Sequence, residues 1–198
     1  MCASGEFPTK SELRRALRRR RRALGGMAQR LAARRLARAL ARHPWFLAAD
    51  SVAGYVAADG EIDPTPLLEW ALTLGKQVYL PVLRDGDHLL FGRYRRGQRM
   101  RRNRFGIPEP TGERRPPWAL ALVLLPLVGF DRSGGRLGMG GGFYDRSFAF
   151  LLKGKHRSPR LLGLAHHFQQ VEQLPREPWD VPLAAVVTDR GWVNVRGR

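Results

Sequence analysis

The stretch LALVLLPLVGFDRSGGRLGMGGGFYDR, residues 120–146, decides how the chain is read. Residues 120–128 form a nearly unbroken apolar run, the pattern of a strand buried on both faces. Residues 129–142 follow as a long loop, and six glycines fall between 134 and 142. From Phe143 to about Leu152 the pattern is helical. Strand, glycine-rich turn and helix in that order place the loop at the carboxyl end of a strand, where open α/β sheets bind ligands. Glycines let backbone N–H groups approach a phosphate, and a helix start adds a positive dipole end. Arg136 supplies a fixed charge suited to phosphate oxygens. Asp145, just past this anion site, is placed to hold a Mg²⁺ that bridges phosphates, or to sit as a first-turn helix acid. No Lys-Ser or Lys-Thr follows the glycines, so this is not a Walker loop. Phe143 stands where a dinucleotide fingerprint needs a third small residue.

Outward from this stretch the elements alternate. Residues 51–57 read as a strand and 64–74 as a helix with Pro64 near its first turn. Strands follow at 76–83 and 88–94, then a loop-like segment at 95–117. Short strands close the chain at 161–165, 184–188 and 192–195, with Pro175, Pro178 and Pro182 breaking the loop between 168 and 182. The expectation is a single α/β domain over residues 1–198, three layers deep, with a mainly parallel sheet. Trp45, Trp70, Trp118 and Trp192 read as packing residues.

Residues 9–42 differ in character: arginine, alanine and leucine, with Glu12 the only acid. Leu13, Leu17, Leu24 and Leu31 make one apolar helical stripe, Thr9 or Ser11 can cap it, and Gly25-Gly26 divides it. The basic faces are either solvated or an RNA-binding arm; interleaved aromatics for base stacking are missing. The whole chain of 198 residues carries a formal charge of +18, from 35 Lys and Arg against 17 acids. That attracts phosphates, although arginine-rich codon usage gives the same excess. Nucleic acid is therefore expected to bind weakly and without sequence preference at most. The longest apolar run, 118–130, is broken by Pro126 and Gly129 and is too short for a membrane span. Cys2 is the only cysteine, which excludes an intrachain disulfide and fits a reducing cytoplasm.

The motif Arg136-Leu137-Gly138-Met139-Gly140-Gly141-Gly142-Phe143-Tyr144-Asp145, after Pro126-Leu127-Val128-Gly129-Phe130-Asp131, resembles the 5-formyltetrahydrofolate cyclo-ligase family, the methenyltetrahydrofolate synthetases. Lys10 with Leu13-Arg14, Tyr55 through Glu61-Ile62-Asp63, residues 105–110, residues 163–169 and Pro175-x-Glu177-x-Trp179-Asp180 resemble its other segments, in the family's order. Pro64 stands where many members have Thr, Gly141 where some have Lys, and Trp179 where others have His.

The resemblance implies a fold similar to that of sugar-phosphate isomerases and CoA-transferases. It implies ATP- and Mg²⁺-dependent closure of 5-formyltetrahydrofolate to 5,10-methenyltetrahydrofolate, by a monomer without membrane attachment. Lys10, Arg14 and the loop from Arg136 through Tyr144 would take ATP. Tyr55, Glu61 and Met139, Gly140, Gly141, Gly142 and Phe143 would take the folate, with Glu61 on the pterin. Asp145 and Asp180 would hold the metal, and Arg136 with Asp145 would be catalytic. Glu109 is a motif residue of open role. An RNA-binding module on the same fold and a sugar-phosphate isomerase are the rival expectations.

Overall fold

The computed structural model describes residues 8–154, 159–193 and 195; Cys2, Lys155 and Asn194 lie outside them. The chain begins with α1 (Lys10–Arg22), α2 (Gly26–Ala41), α3 (Pro44–Ala48), β1 (Ser51–Ala53), α4 (Thr65–Thr73) and β2 (Gln77–Arg84). It continues through β3 (His88–Tyr94), β4 (Met100–Arg102), β5 (Pro108–Pro110), β6 (Arg114–Arg115) and β7 (Leu122–Pro126). Then come β8 (Gly129–Phe130), β9 (Arg136–Leu137), α5 (Phe143–Phe148), β10 (Arg160–Ala165), β11 (Ala185–Thr188) and β12 (Gly191–Val193).

Eight strands make one sheet in the order β12-β11-β10-β7-β1-β2-β3-β6. The five inner strands, β11 to β2, are mutually parallel, and β12, β3 and β6 add antiparallel edges. Strand β7 explains its apolar run. Leu122 and Leu124 face a core built with Leu36, Leu40, Phe46 and Leu67 of α2, α3 and α4. Val123 and Leu125 face a second core with Phe91, Phe130 and Phe148. Both faces are thus covered, which gives the three layers. A small third cluster, Leu17 with Val128, Leu137 and Leu174, seats α1 against the glycine-rich loop. Among the described residues no helix is long and apolar enough to cross a membrane.

Several boundaries depart from expectation. Thr9, not Ser11, caps α1: its Oγ1 accepts the Glu12 N–H at 3.2 Å while Glu12 Oε2 accepts the Thr9 N–H at 2.9 Å. The glycine pair does split the segment, but helix resumes at α3 beyond residue 42. The strand expected over 51–57 stops at Ala53, where the chain leaves the sheet toward the Asp59 turn. Residues 95–117 hold β4, β5 and β6, pieces too short to show periodicity. Inside the loop 129–142 the ladder β8–β9 pairs Gly129 with Leu137 and Phe130 with Arg136. The helix after Phe143 tightens at Ala149 and ends at Gly154. Trp70 and Trp118 are largely exposed, Trp118 meeting Phe150 edge to face, whereas Trp45 and Trp192 pack edge to face with one another.

Candidate functional site

After β1 the chain moves to β2 on one side; β7 passes to β10 on the other. β1 and β7 are neighbours where the winding reverses, the place at which open α/β sheets leave a crevice at their carboxyl ends. The segment 54–63 leaves β1 here and the glycine-rich loop leaves β7. A cleft of about 690 Å³ opens between them. Its walls take Lys10 and Arg14 from α1, then Tyr55 and Glu61 from the segment after β1. Arg136, Leu137, Gly138, Met139, Gly140, Gly141, Gly142, Phe143, Tyr144 and Asp145 form the wall opposite, and Asp180 lines the C-terminal side with Glu177 and Trp179. Every residue that the resemblance assigned to ATP, folate or metal borders this one space.

The loop is held by buried hydrogen bonds. The Asp131 carboxylate, fully buried, accepts the Gly135 and Leu174 N–H groups at 2.7 and 2.8 Å and the Ser133 hydroxyl at 2.8 Å. The Val128 N–H donates to Leu137 C=O at 2.7 Å. Gly140 has φ 99°, a conformation L side chains rarely take. Helix α1 clamps the loop from outside: Arg14 Nε donates to Gly138 C=O at 2.8 Å, and Lys10 Nζ reaches Glu177 Oε1 at 3.2 Å.

Arg136 and Asp145 form an ion pair, with side chains 8% and 26% exposed. Burial pushes the Arg136 pKa down, and the charges of Asp145 and Asp180 oppose that shift. Asp145 Oδ1 also accepts the Val181 N–H at 3.2 Å, and Asp180 Oδ2 accepts the Glu177 N–H at 2.8 Å. The second oxygen of each carboxylate has no hydrogen-bond partner among the described residues. No cluster of three or more metal-ligating side chains occurs among those residues, the His166-His167 pair included. Two carboxylates, with phosphates and water completing the shell, suit Mg²⁺ better than metals that need a protein cage.

Across the cleft, Glu61 Oε2 accepts the Ala58 N–H at 3.1 Å. Burial pushes the Glu61 pKa up against the pull of that N–H and of Arg21. The Tyr55 hydroxyl donates to Ile62 C=O at 2.6 Å, so it braces its own segment. Burial, with the charge of Glu61 added, raises the pKa of both Tyr55 and Tyr144 and keeps both protonated. Glu109 Oε1 accepts the Leu83 N–H at 2.9 Å and Asn103 Nδ2 at 2.7 Å, fastening the β4–β5 hairpin to β2. Phe105 on that hairpin, Met139 and Trp179 are exposed at the cleft, an apolar rim on a polar site.

Residues 6–189 match the profile of the 5-formyltetrahydrofolate cyclo-ligase family. The chain belongs to that family. It is 42% identical over 177 residues to the 5-formyltetrahydrofolate cyclo-ligase of Escherichia coli strain K12, covering 87% of this chain and 96% of that one. The Haemophilus influenzae cyclo-ligase is 45% identical over 140 residues, 68% and 73% of the two chains. Among solved structures, the 5,10-methenyltetrahydrofolate synthetase of Aquifex aeolicus superposes with a TM-score of 0.81 at 34% identity, covering 96% of this chain and 94% of its own. The Mycoplasma pneumoniae synthetase, at 22% identity and a TM-score of 0.73 over 92% and 99% of the two chains, shares the fold.

In this cyclo-ligase chain the structure adds residues that sequence reading passed over. Asp59 (φ 52°) and Gly60 (φ 75°) make a left-handed turn packed on α1. A Cβ on Gly60 would lie 2.6 Å from Arg21 C=O. Arg18, Arg21 and Arg22 all pair with the Asp59 carboxylate. Burial alone would raise the Asp59 pKa, but the three guanidiniums outweigh it and hold the carboxyl well below the usual range. His166 is buried beside this turn, its Nε2 3.2 Å from Gly60 C=O, and burial lowers its pKa. The only signal in the sequence was arginine at helical spacing opposite a Gly-containing turn.

Proposed function

We propose that this chain converts 5-formyltetrahydrofolate and ATP into 5,10-methenyltetrahydrofolate, ADP and phosphate. The reading rests on one observation: the glycine-rich loop, the Arg136–Asp145 pair and Glu61 border a single cleft at the reversal of the sheet. The chemistry asks for such a site. The N5-formyl group is a poor electrophile because the nitrogen lone pair feeds its carbonyl, and its oxygen is a bad leaving group. Transfer of the ATP γ-phosphoryl to the formyl oxygen answers both difficulties. N10 then attacks the formyl carbon and gives up its proton to water or the departing phosphate, the C–O bond breaks, and phosphate departs.

The protein's part is positioning and charge. Backbone N–H groups from Gly138 to Gly142, with Lys10, Arg14 and Arg136, receive the triphosphate. Glu61 accepts two hydrogen bonds from the pterin amino group and ring N–H. Tyr55 and the apolar rim exclude water around the folate. Mg²⁺ held by Asp145 and Asp180 would offset phosphate charge. All these residues come from one chain, which fits a monomer, and the lone cysteine fits a reducing cytoplasm. The RNA-binding rival is less well supported, because α1 commits Arg18, Arg21 and Arg22 to Asp59 of its own protein. A sugar-phosphate isomerase needs neither ATP nor a pterin carboxylate. The test is growth of the methenyl ultraviolet absorbance when protein, Mg²⁺, ATP and 5-formyltetrahydrofolate are mixed. Equal turnover without ATP, or none from a well-folded preparation, overturns the reading.

A further inference from the structure

Arg21 has a fully buried side chain, a costly place for a guanidinium unless every donor is used. Its Nε donates to Asp59 C=O at 2.8 Å and its Nη2 to Asp59 Oδ2 at 2.6 Å. Nη1 reaches Leu127 C=O at 3.4 Å and stands 3.9 Å from Glu61 Oε1, while Nη2 lies 4.0 Å from the Met139 sulfur. One planar group therefore touches three walls of the cleft: the Asp59 turn, the chain leaving β7, and the glycine-rich loop. Anchoring Asp59 does not require it, because Arg18 and Arg22 already do so from more exposed positions. What sets Arg21 apart is Glu61. Of the three arginines, it alone pairs with that carboxylate.

We propose that Arg21 is a positioning residue for the folate: gripping Asp59 and lying against Glu61, it holds the Glu61 carboxylate in the orientation that receives the pterin. This rests on Glu61 being the pterin ligand. Lysine keeps the charge but lacks the fork that spans three partners, so Arg21→Lys is the informative change.

The experiment measures kcat, both KM values and equilibrium binding of 5-formyltetrahydrofolate without ATP, for Arg21→Lys, Arg22→Ala and Glu61→Gln. Arg22→Ala removes an Asp59 anchor without touching Glu61, so it separates anchoring from positioning. The expected result for Arg21→Lys is a rise of about tenfold or more in the folate KM and dissociation constant, with kcat and the ATP KM within about threefold. Arg22→Ala should leave both KM values within about twofold even where it lowers the melting temperature. If Arg21→Lys lowers only the melting temperature, or raises both KM values alike, Arg21 is a staple for α1 and the proposal is overturned. If Glu61→Gln leaves folate binding unchanged, the pterin reading fails and takes this proposal with it. If Glu61→Gln weakens folate binding while Arg21→Lys does not, only the proposal falls. Should Arg21→Lys fail to fold, the double variant Arg21→Met with Asp59→Asn removes the buried pair together, and the same split decides.

Discussion

Asp145 serves two partners at once, and Asp180, the other proposed metal ligand, does not. Asp145 neutralises the nearly buried Arg136 and accepts the Val181 N–H, whereas Asp180 accepts one backbone N–H in an exposed loop. Replacing either with asparagine keeps the shape and removes the charge that the proposed Mg²⁺ would need. Losing about 3–4 kcal/mol of charge organisation slows turnover by roughly 10²–10³-fold in each variant. The melts should differ: Asp145→Asn leaves Arg136 unbalanced and melts lower, while Asp180→Asn melts close to the parent. Turnover against Mg²⁺ concentration, with melts in parallel, checks both. A helix-dipole role for Asp145 would instead cost about 0.3–1 kcal/mol and leave catalysis intact.

Glu61 makes the opposite trade. Burial raises its folded pKa, so between its unfolded value of about 4.3 and the folded value the native state holds a proton that the unfolded state has lost. Stability from this group falls as pH rises through the folded value. Glu61→Gln is therefore expected to melt no lower than the parent at neutral pH while losing folate affinity, with the melting curves converging below about pH 4. Melts from pH 4 to 8, paired with folate binding, measure both arms. A clear drop in melting temperature at pH 7 would make Glu61 a structural acid. Glu61 was legible only through the resemblance of its segment to the family's, and the structure places it on the cleft. Arg21 was not: it stands in a run from Arg18 to Arg22 in which every letter is the same, and only packing decides which one is buried.

At the scale of elements, the glycine-rich loop is a shaped ladder and turn rather than a flexible spacer. Gly140 at φ 99° has room for a Cβ, which would meet Arg14 Cζ at 3.7 Å, so the obstacle to a side chain is backbone strain. Gly140→Val should therefore weaken ATP binding more than it lowers the melting temperature. Gly138→Ala, where nothing lies within 4 Å of a Cβ and φ is ordinary, should bind ATP nearly as the parent does. Calorimetric titration with ATP compares them; equal affinities would reduce Gly140 to a linker. The loop and the strand before it were readable because a two-sided buried strand and six glycines leave little else to be. Strands β4, β5 and β6 were not, since two or three residues flanked by proline or arginine show no period, and their pairing is set by partners elsewhere. Nor did the sequence reveal that β1 and β7 are neighbours. That adjacency arises from the order in which the layers pack, and it is what brings residue 61 to the loop at 136–145.

For the whole molecule the dominant number is the charge of +18. Much of the inner face of α1 is committed to Asp59, Gly138 and Glu177; Arg15 and Arg19 face solvent, and Arg20 lies over the Phe168 ring, a single aromatic rather than a row of stacking platforms. Nucleic acid should then bind at roughly 10⁻⁴–10⁻⁶ M at physiological salt, with a steep salt dependence and no sequence preference. Fluorescence anisotropy of unrelated oligonucleotides across a salt series tests it, and a nanomolar, sequence-selective complex would show a dedicated interface.

The clamp of α1 on the cleft also has a history in time. Arg14 meets a carbonyl 124 residues further along the chain, and Lys10 an acid 167 residues away. Contacts of such separation close the longest loops and are made late, after the sheet and its helices have condensed. A chain leaving the ribosome carries Lys10 and Arg14 first, and Arg14 must wait for Gly138 and Lys10 for Glu177. In refolding from denaturant, far-ultraviolet circular dichroism should recover ahead of turnover, with the lag measuring how long the first helix takes to come home. Simultaneous recovery of the two signals would mean that α1 docks as part of the initial collapse.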